Sequence, residues 1–164
     1  MRLQGSCHCG AVKFTCESKN PVPYQLCYCG VCRKTAGGGG YAINLAGEAS
    51  TLIVSGEENI TVYQAAIQNP EDSSAQVSSA RRRFCKKCGS ALWLDDPQWA
   101  DLIHPFASAI DTDLPLPPTK THIMVDFKPS WVQLDESPAA TDKKFGRYPE
   151  ESIADWHSRH GLQF

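Results

Sequence analysis

The sequence predicts an all-β (mainly β) fold of short strands, tied together through cysteine and closed by one short C-terminal helix. Three observations predict it. Short segments rich in β-branched and aromatic residues recur along the chain, separated by Gly, Pro, Asn and Asp. Helical periodicity shows only near the end. Seven of the eight cysteines fall into three tight groups, as expected of a small fold cross-linked from within.

Residues 11–16 alternate, with Val12 and Phe14 on one face and Lys13 and Thr15 on the other, and predict a strand. Residues 51–54, 60–63 and 90–94 are further strands on composition. A run of four glycines, 37–40, precedes the apolar stretch 41–45; it lacks the Lys-Ser/Thr ending of a phosphate loop and predicts a flexible turn. The polar segment 69–79 predicts a loop or an edge hairpin, and the proline-rich 114–118 a turn into an extended piece at 122–127. At the end, Pro149 suits a first helical turn and Glu150 and Glu151 the positive helix end. Ile153, Trp156 and His157 share a face there, and Gly161 ends the helix.

At 164 residues the chain is expected to form a single domain, 1–164, without internal repeats. A net charge of -2 argues against nucleic acid or an anionic membrane as main partner. Residues 1–7 lack the apolar core of a signal peptide, and no later run is long enough to cross a bilayer. The expected location is therefore cytoplasmic, with nuclear access open. Clustered thiols in a reducing compartment point to metal or redox chemistry rather than a disulfide framework.

The groups are Cys7-His8-Cys9-Gly10, Cys27-Tyr28-Cys29-Gly30-Val31-Cys32 and Cys85-Lys86-Lys87-Cys88-Gly89. Close-set cysteines aim two sulfurs at one cation, and a following glycine accepts the positive φ of the tight turn. Structural zinc takes four ligands. If each group serves one metal, the split that completes a tetrahedral site is Cys7, Cys9, Cys85 and Cys88. Cys27, Cys29 and Cys32 remain, three ligands with a fourth position open, as in catalytic zinc sites. Two Zn²⁺ per chain are expected. The alternative is closure of the triplet by one of His8, His104, His122, His157 or His160, none of which stands at a short ligand spacing from it. Cys16 stands apart on an alternating strand and reads as a small buried hydrophobe.

Three thiolates leave zinc a weak Lewis acid, better matched to an incoming thiol than to activating water. Zinc lowers a bound thiol's pKa, which favours making or breaking carbon–sulfur bonds. Arg33 and Lys34 follow the triplet and are candidates to bind an anionic thiol such as glutathione. The run Arg81-Arg82-Arg83 offers the same chemistry, but balancing a four-thiolate zinc or facing water is the reading favoured for it. The pairs Asp95-Asp96 and Asp111/Asp113 read as local turn hydrogen bonding, and Trp93, Trp99, Trp131 and Trp156 as core or pocket wall.

The string Gly5-Ser6-Cys7-His8-Cys9-Gly10-Ala11-Val12-Lys13-Phe14, then Cys27-x-Cys29-x-x-Cys32-Arg33-Lys34, then Phe84-Cys85-x-x-Cys88-Gly89-Ser90, resembles the family of glutathione-dependent formaldehyde-activating enzymes and centromere protein V. His122-Ile123 and Trp131 also look like that family's C-terminal pattern, so the resemblance spans a core of about 3–134 with an extension at 135–164. It implies a folded, tent-like sheet (a β-tent), a structural zinc on the outer cysteine pairs and a catalytic zinc on the triplet. It also implies addition of glutathione to formaldehyde to give S-(hydroxymethyl)glutathione, an activity labelled carbon–sulfur lyase. One departure is visible: Tyr28 stands where the family has histidine, which is expected to change a donor beside the metal rather than a ligand.

The expected function is a zinc-dependent carbon–sulfur lyase acting on an adduct of glutathione or another small thiol. Two alternatives are a non-catalytic, zinc-scaffolded protein-interaction module and a soft-metal carrier, since three thiolates also suit Cu(I). The interaction reading lacks the basic low-complexity extension of centromere protein V.

Overall fold

A computed structural model describes residues 1–68, 74–137 and 140–162. Among them the elements run β1 Arg2–Ser6, β2 Lys13–Glu17, β3 Tyr24–Cys27, α1 Gly30–Ala36, β4 Ala42–Asn44, β5 Gly47–Glu48, β6 Ile53–Ser55 and β7 Ile60–Tyr63. They continue β8 Ala66–Gln68, β9 Ala75–Val77, β10 Arg81–Cys85, β11 Ala91–Asp95, β12 Leu102–Pro105, β13 Lys120–Ile123, β14 Lys143–Lys144 and α2 Ile153–Arg159. The fold is mainly β, as the sequence predicts. It divides into two compact units, Met1–Ser18 with Ala46–Asp113, and Lys19–Leu45 with Leu114–Phe164.

In the first unit an antiparallel sheet runs β1-β2-β6, a second runs β5-β12-β11-β10-β7, and β8-β9 form a hairpin. The alternation read at 11–16 is realised: Val12, Phe14 and Cys16 are buried while Lys13 is exposed. Leu3, Phe14, Leu92 and Phe106 fill the core, each contributing about 1.5–3 kcal/mol by burial, and Phe14 packs on Trp93 at 5.0 Å. Cys16 is the buried hydrophobe expected. The strand read at 51–54 lies slightly later, because a 3₁₀ turn takes Ala49–Thr51. Within 69–79, Ala75–Val77 pairs with Ala66–Gln68, the edge-hairpin reading; residues 69–73 lie outside the described residues.

The arginine run needs correction. Arg82 is buried, while Arg81 and Arg83 both donate to Asp95, at 2.6 and 2.8 Å from their Nε atoms. Arg81 and Arg83 therefore do not simply face water, and Asp95, in β11, is not a local turn residue. Asp96 is one: it caps the 3₁₀ turn Pro97–Trp99 by accepting the Gln98 N–H.

In the second unit one sheet runs β14-β13-β3-β4, with β13 parallel to β3 and to β14, and β4 antiparallel to β3. The extended piece read at 122–127 is a strand only to Ile123; Met124 at φ 59° breaks it and a 3₁₀ turn follows. Leu26, Tyr28 and Val132 form a buried cluster flanked by Tyr24, Tyr41 and Ile43. The C-terminal helix starts later than Pro149 suggests, because the Ser152 hydroxyl accepts the Asp155 N–H and makes Ser152 the cap. Trp156 and His157 are buried and Gly161 ends the helix at φ 66°, as expected. Two tryptophans are not core: Trp99 and Trp131 are 51% and 64% exposed.

Candidate metal centres

Two hairpin tips in the first unit build the first centre. In the β1-β2 turn the Cys7 N–H bonds the Val12 carbonyl and the Gly10 N–H bonds the Cys7 carbonyl; in the β10-β11 turn the Cys85 N–H bonds Ser90 O and the Gly89 N–H bonds Cys85 O. Both turns close on a glycine at positive φ, Gly10 at 72° and Gly89 at 73°, which a side chain would strain. The sulfurs of Cys7, Cys9, Cys85 and Cys88 all lie within 4.8 Å of one another. Two residues that sequence reasoning missed brace the tips. Asn59 accepts the Lys86 N–H on its carbonyl and donates its side-chain amide to Ala11 O, while Ser90 accepts the His8 N–H and stands 3.2 Å from the Cys88 sulfur.

The second centre sits where β3 passes into α1. Cys27 ends β3 opposite Ala42 of β4 and Ile123 of β13. Cys29 caps α1, its sulfur accepting the Cys32 N–H at 3.3 Å. The sulfurs of Cys27, Cys29 and Cys32 also lie within 4.8 Å of one another, and among the described residues no imidazole or carboxylate joins their group. Cys27 and Cys32 are buried and Cys29 is half-buried. α1 itself was not foreseen. Cys32 is its one buried residue, so it shows no repeating apolar face, and its cap is a thiol. Gly30, expected to relieve a tight turn, instead begins this helix without positive φ.

The donor sets suit a soft divalent cation. In the triplet, hydrogen bonds from Cys27 and then Cys32 pull the Cys29 thiol down to about 2, while the same crowding drives Cys27 far above the usual thiol range. In the tetrad, the Ser90 hydroxyl and N–H bring Cys88 down to about 5. Thiols held this close compete for protons that a cation would displace, and all-sulfur sets of three or four are those that zinc takes.

A family model for glutathione-dependent formaldehyde-activating enzyme matches residues 2–126. This chain belongs to that family. A Halomonas elongata protein named "Putative glutathione-dependent formaldehyde-activating enzyme" is 53% identical over 163 residues, covering 99% of each chain. A crystal structure of a Rhodobacter sphaeroides protein aligns at a TM-score of 0.49 and 26% identity, over 70% of this chain and 92% of that one.

Within this family member the remaining sequence-predicted residues fall as follows. Arg33 and Lys34 lie on α1 directly beyond the triplet, Arg33 half-buried with its Nε shielded and without a partner, Lys34 exposed. None of the histidines considered for closing the triplet joins it. His122 is held between Tyr28 and Asp142, His157 meets the Val22 carbonyl, and His160 meets Trp156 O. Alternation along β3 puts Cys27 on one face and Tyr24, Leu26 and Tyr28 on the other, so Tyr28 is not the donor beside the metal that its position suggests.

Proposed function

We propose that this protein is a zinc-dependent carbon–sulfur lyase for adducts of glutathione or another small thiol with an aldehyde, formaldehyde being the aldehyde that the family's name supplies. In this reading Cys7, Cys9, Cys85 and Cys88 hold a structural zinc and Cys27, Cys29 and Cys32 a catalytic one. The observation that carries it is the triplet: three gathered sulfurs, two buried and one half-exposed, with no further protein ligand in their group among the described residues. Zinc there would offer a soft position to an external sulfur and lower that thiol's pKa, keeping it thiolate near neutral pH.

The chain's own residues supply the rest. The buried pair Cys27 and Cys32 fixes two corners on rigid elements, and Cys29 marks the side from which the thiol arrives. Arg33, with a shielded and unpaired Nε, and Lys34 bind the carboxylates of that thiol. In the forward direction the sulfur bonds to the carbonyl carbon, the π electrons pass to oxygen, and the thiol proton ends on that oxygen. Lysis runs the same steps in reverse, and neither direction needs an oxidant. Free thiolates require a reducing compartment, so the cytoplasm is the proposed location. Neither compact unit is continuous in sequence, which favours their folding as a single domain.

The test is zinc stoichiometry combined with glutathione titration of wild type and Cys32→Ser. Wild type should carry two zincs and bind thiol saturably; Cys32→Ser should stay folded with one zinc and lose thiol-dependent turnover. Normal turnover by Cys32→Ser would sink the assignment.

A further inference from the structure

We propose that Tyr28, His122 and Asp142 form a buried positioning relay that locks the Cys27–Cys29 turn from behind and sets how tightly the triplet holds its metal. The proposal rests on reading the triplet as a metal site. Tyr28 is the single residue between two of the three sulfur ligands, so any swing of its backbone carries Cys27 and Cys29 apart. Its N–H bonds Ile123 O at 3.1 Å, and its hydroxyl meets His122 Nδ1 at 2.8 Å. The two rings stack, 5.7 Å between centroids at 15°. Tyr28 is 1% and His122 7% exposed. On the far side of the imidazole, Nε2 lies 3.2 Å from Asp142 Oδ2, and Asp142 Oδ1 accepts the Lys120 N–H at 2.9 Å.

The proton positions follow from these partners. Burial pushes the Asp142 carboxyl up, but the Lys120 N–H and His122 outweigh it and hold the group below the usual carboxylate range, so it accepts only. A carboxylate oxygen only accepts, so Nε2 carries its proton toward Asp142 and leaves Nδ1 facing the Tyr28 hydroxyl. The Tyr28 phenol carries the hydroxyl proton and donates it to Nδ1 at 2.8 Å. Tyr28, His122 and Asp142 thus form a single directed chain.

Asp142 lies beyond residue 126, where the family match ends. The C-terminal segment delivers it by adding β14 parallel to β13, in register at His122 and Lys144, with the Phe145 N–H on His122 O. A residue outside the matched core thereby governs a turn 114 positions earlier, between residues 28 and 142.

The test follows zinc transfer to a chromogenic chelator from full-length, two-zinc protein, with Cys32→Ser identifying the triplet phase. Tyr28→Phe keeps the ring and removes the donor; Asp142→Asn removes the charge. Each should release triplet zinc about 2–10-fold faster, the equivalent of one buried hydrogen bond's net contribution, with the tetrad phase unchanged. Asp142→Glu should recover part of the loss. Asp126→Asn, which breaks an exposed ion pair to Arg147 of the C-terminal segment, should behave as wild type. Cobalt-substituted Tyr28→Phe should show shifted ligand-field bands. Equal acceleration of both phases, or a triplet rate indifferent to Tyr28 and Asp142 in a two-zinc protein, would overturn the relay alone. A wild-type protein holding zinc only at the tetrad would overturn the relay and the triplet reading together.

Discussion

Gly40→Ala should destabilise the unit that carries the triplet, and the reason lies in two independent strains. Gly40 has φ 88°, a region that costs an L-residue about 1–2 kcal/mol. A Cβ there would also fall 2.4 Å from Val132 Cγ2 and 2.8 Å from Trp131 Cη2, forcing repacking worth about 1–3 kcal/mol. Loss of glycine freedom in the unfolded chain returns up to about 1 kcal/mol. The net cost is about 1–5 kcal/mol, or a fall in Tm of roughly 2–20 °C for a chain of this size.

Gly38 is the control, because a Cβ there meets nothing within 4 Å and its φ is not positive. Gly38→Ala should leave Tm unchanged or raise it slightly. Circular dichroism melts at fixed free zinc would read both variants. A Gly40→Ala protein melting within about 1 °C of wild type, or a Gly38→Ala protein falling as far, would refute the reasoning. The run 37–40 is thus a shaped turn, closed by the Gly40 N–H on Gly37 O, that leads the chain into the strand beside Cys27.

Three further outcomes are expected. Cys85→Ser should abolish the tetrad zinc and the native fold together, since structural zinc contributes roughly 10–16 kcal/mol against a total stability of about 5–15; a folded variant with a near-wild-type melt would contradict this. Burial, then Glu17, raises the Cys16 thiol to about 11, so its thiolate fraction at pH 8 is roughly 0.1%. Its alkylation in the native, zinc-loaded protein, followed by mass spectrometry, should keep climbing about tenfold per pH unit past pH 9; a plateau near 9 would show an ordinary thiol. Asp95→Asn removes the shared acceptor of Arg81 and Arg83, with 13% of the Asp95 side chain exposed, and should cost about 1–3 kcal/mol in urea unfolding, an expectation that an unchanged midpoint would defeat.

The two cysteine groupings were legible because their chemistry is local. Each cysteine group occupies one turn, coordination number limits how the groups combine, and the partition into Cys7, Cys9, Cys85, Cys88 and Cys27, Cys29, Cys32 is the one that the folded chain gathers. β2 was legible for a similar reason: five residues of strict alternation need no partner to be read. The arginine run was not, since Asp95 stands directly across the β10-β11 pair from Arg81 and diagonally from Arg83, and that register is unknown until the hairpin is built.

Tyr28 marks where local reading stops. Its position between two candidate ligands suggests a donor beside a metal, yet it packs with Leu26 and Val132 and meets His122. Its partner His122 stands 94 residues away, and His122 in turn meets Asp142 20 residues further on. Neither separation leaves a spacing signal. Sulfur ligands can be close in sequence because a tight turn alone brings two of them to one ion. A buried imidazole needs partners on both nitrogens, and a chain cannot reach both sides of a ring from one turn. The support of such a site is therefore assembled from distant strands, here β3, β13 and the segment entering β14, and becomes visible only once their order in the sheet is known.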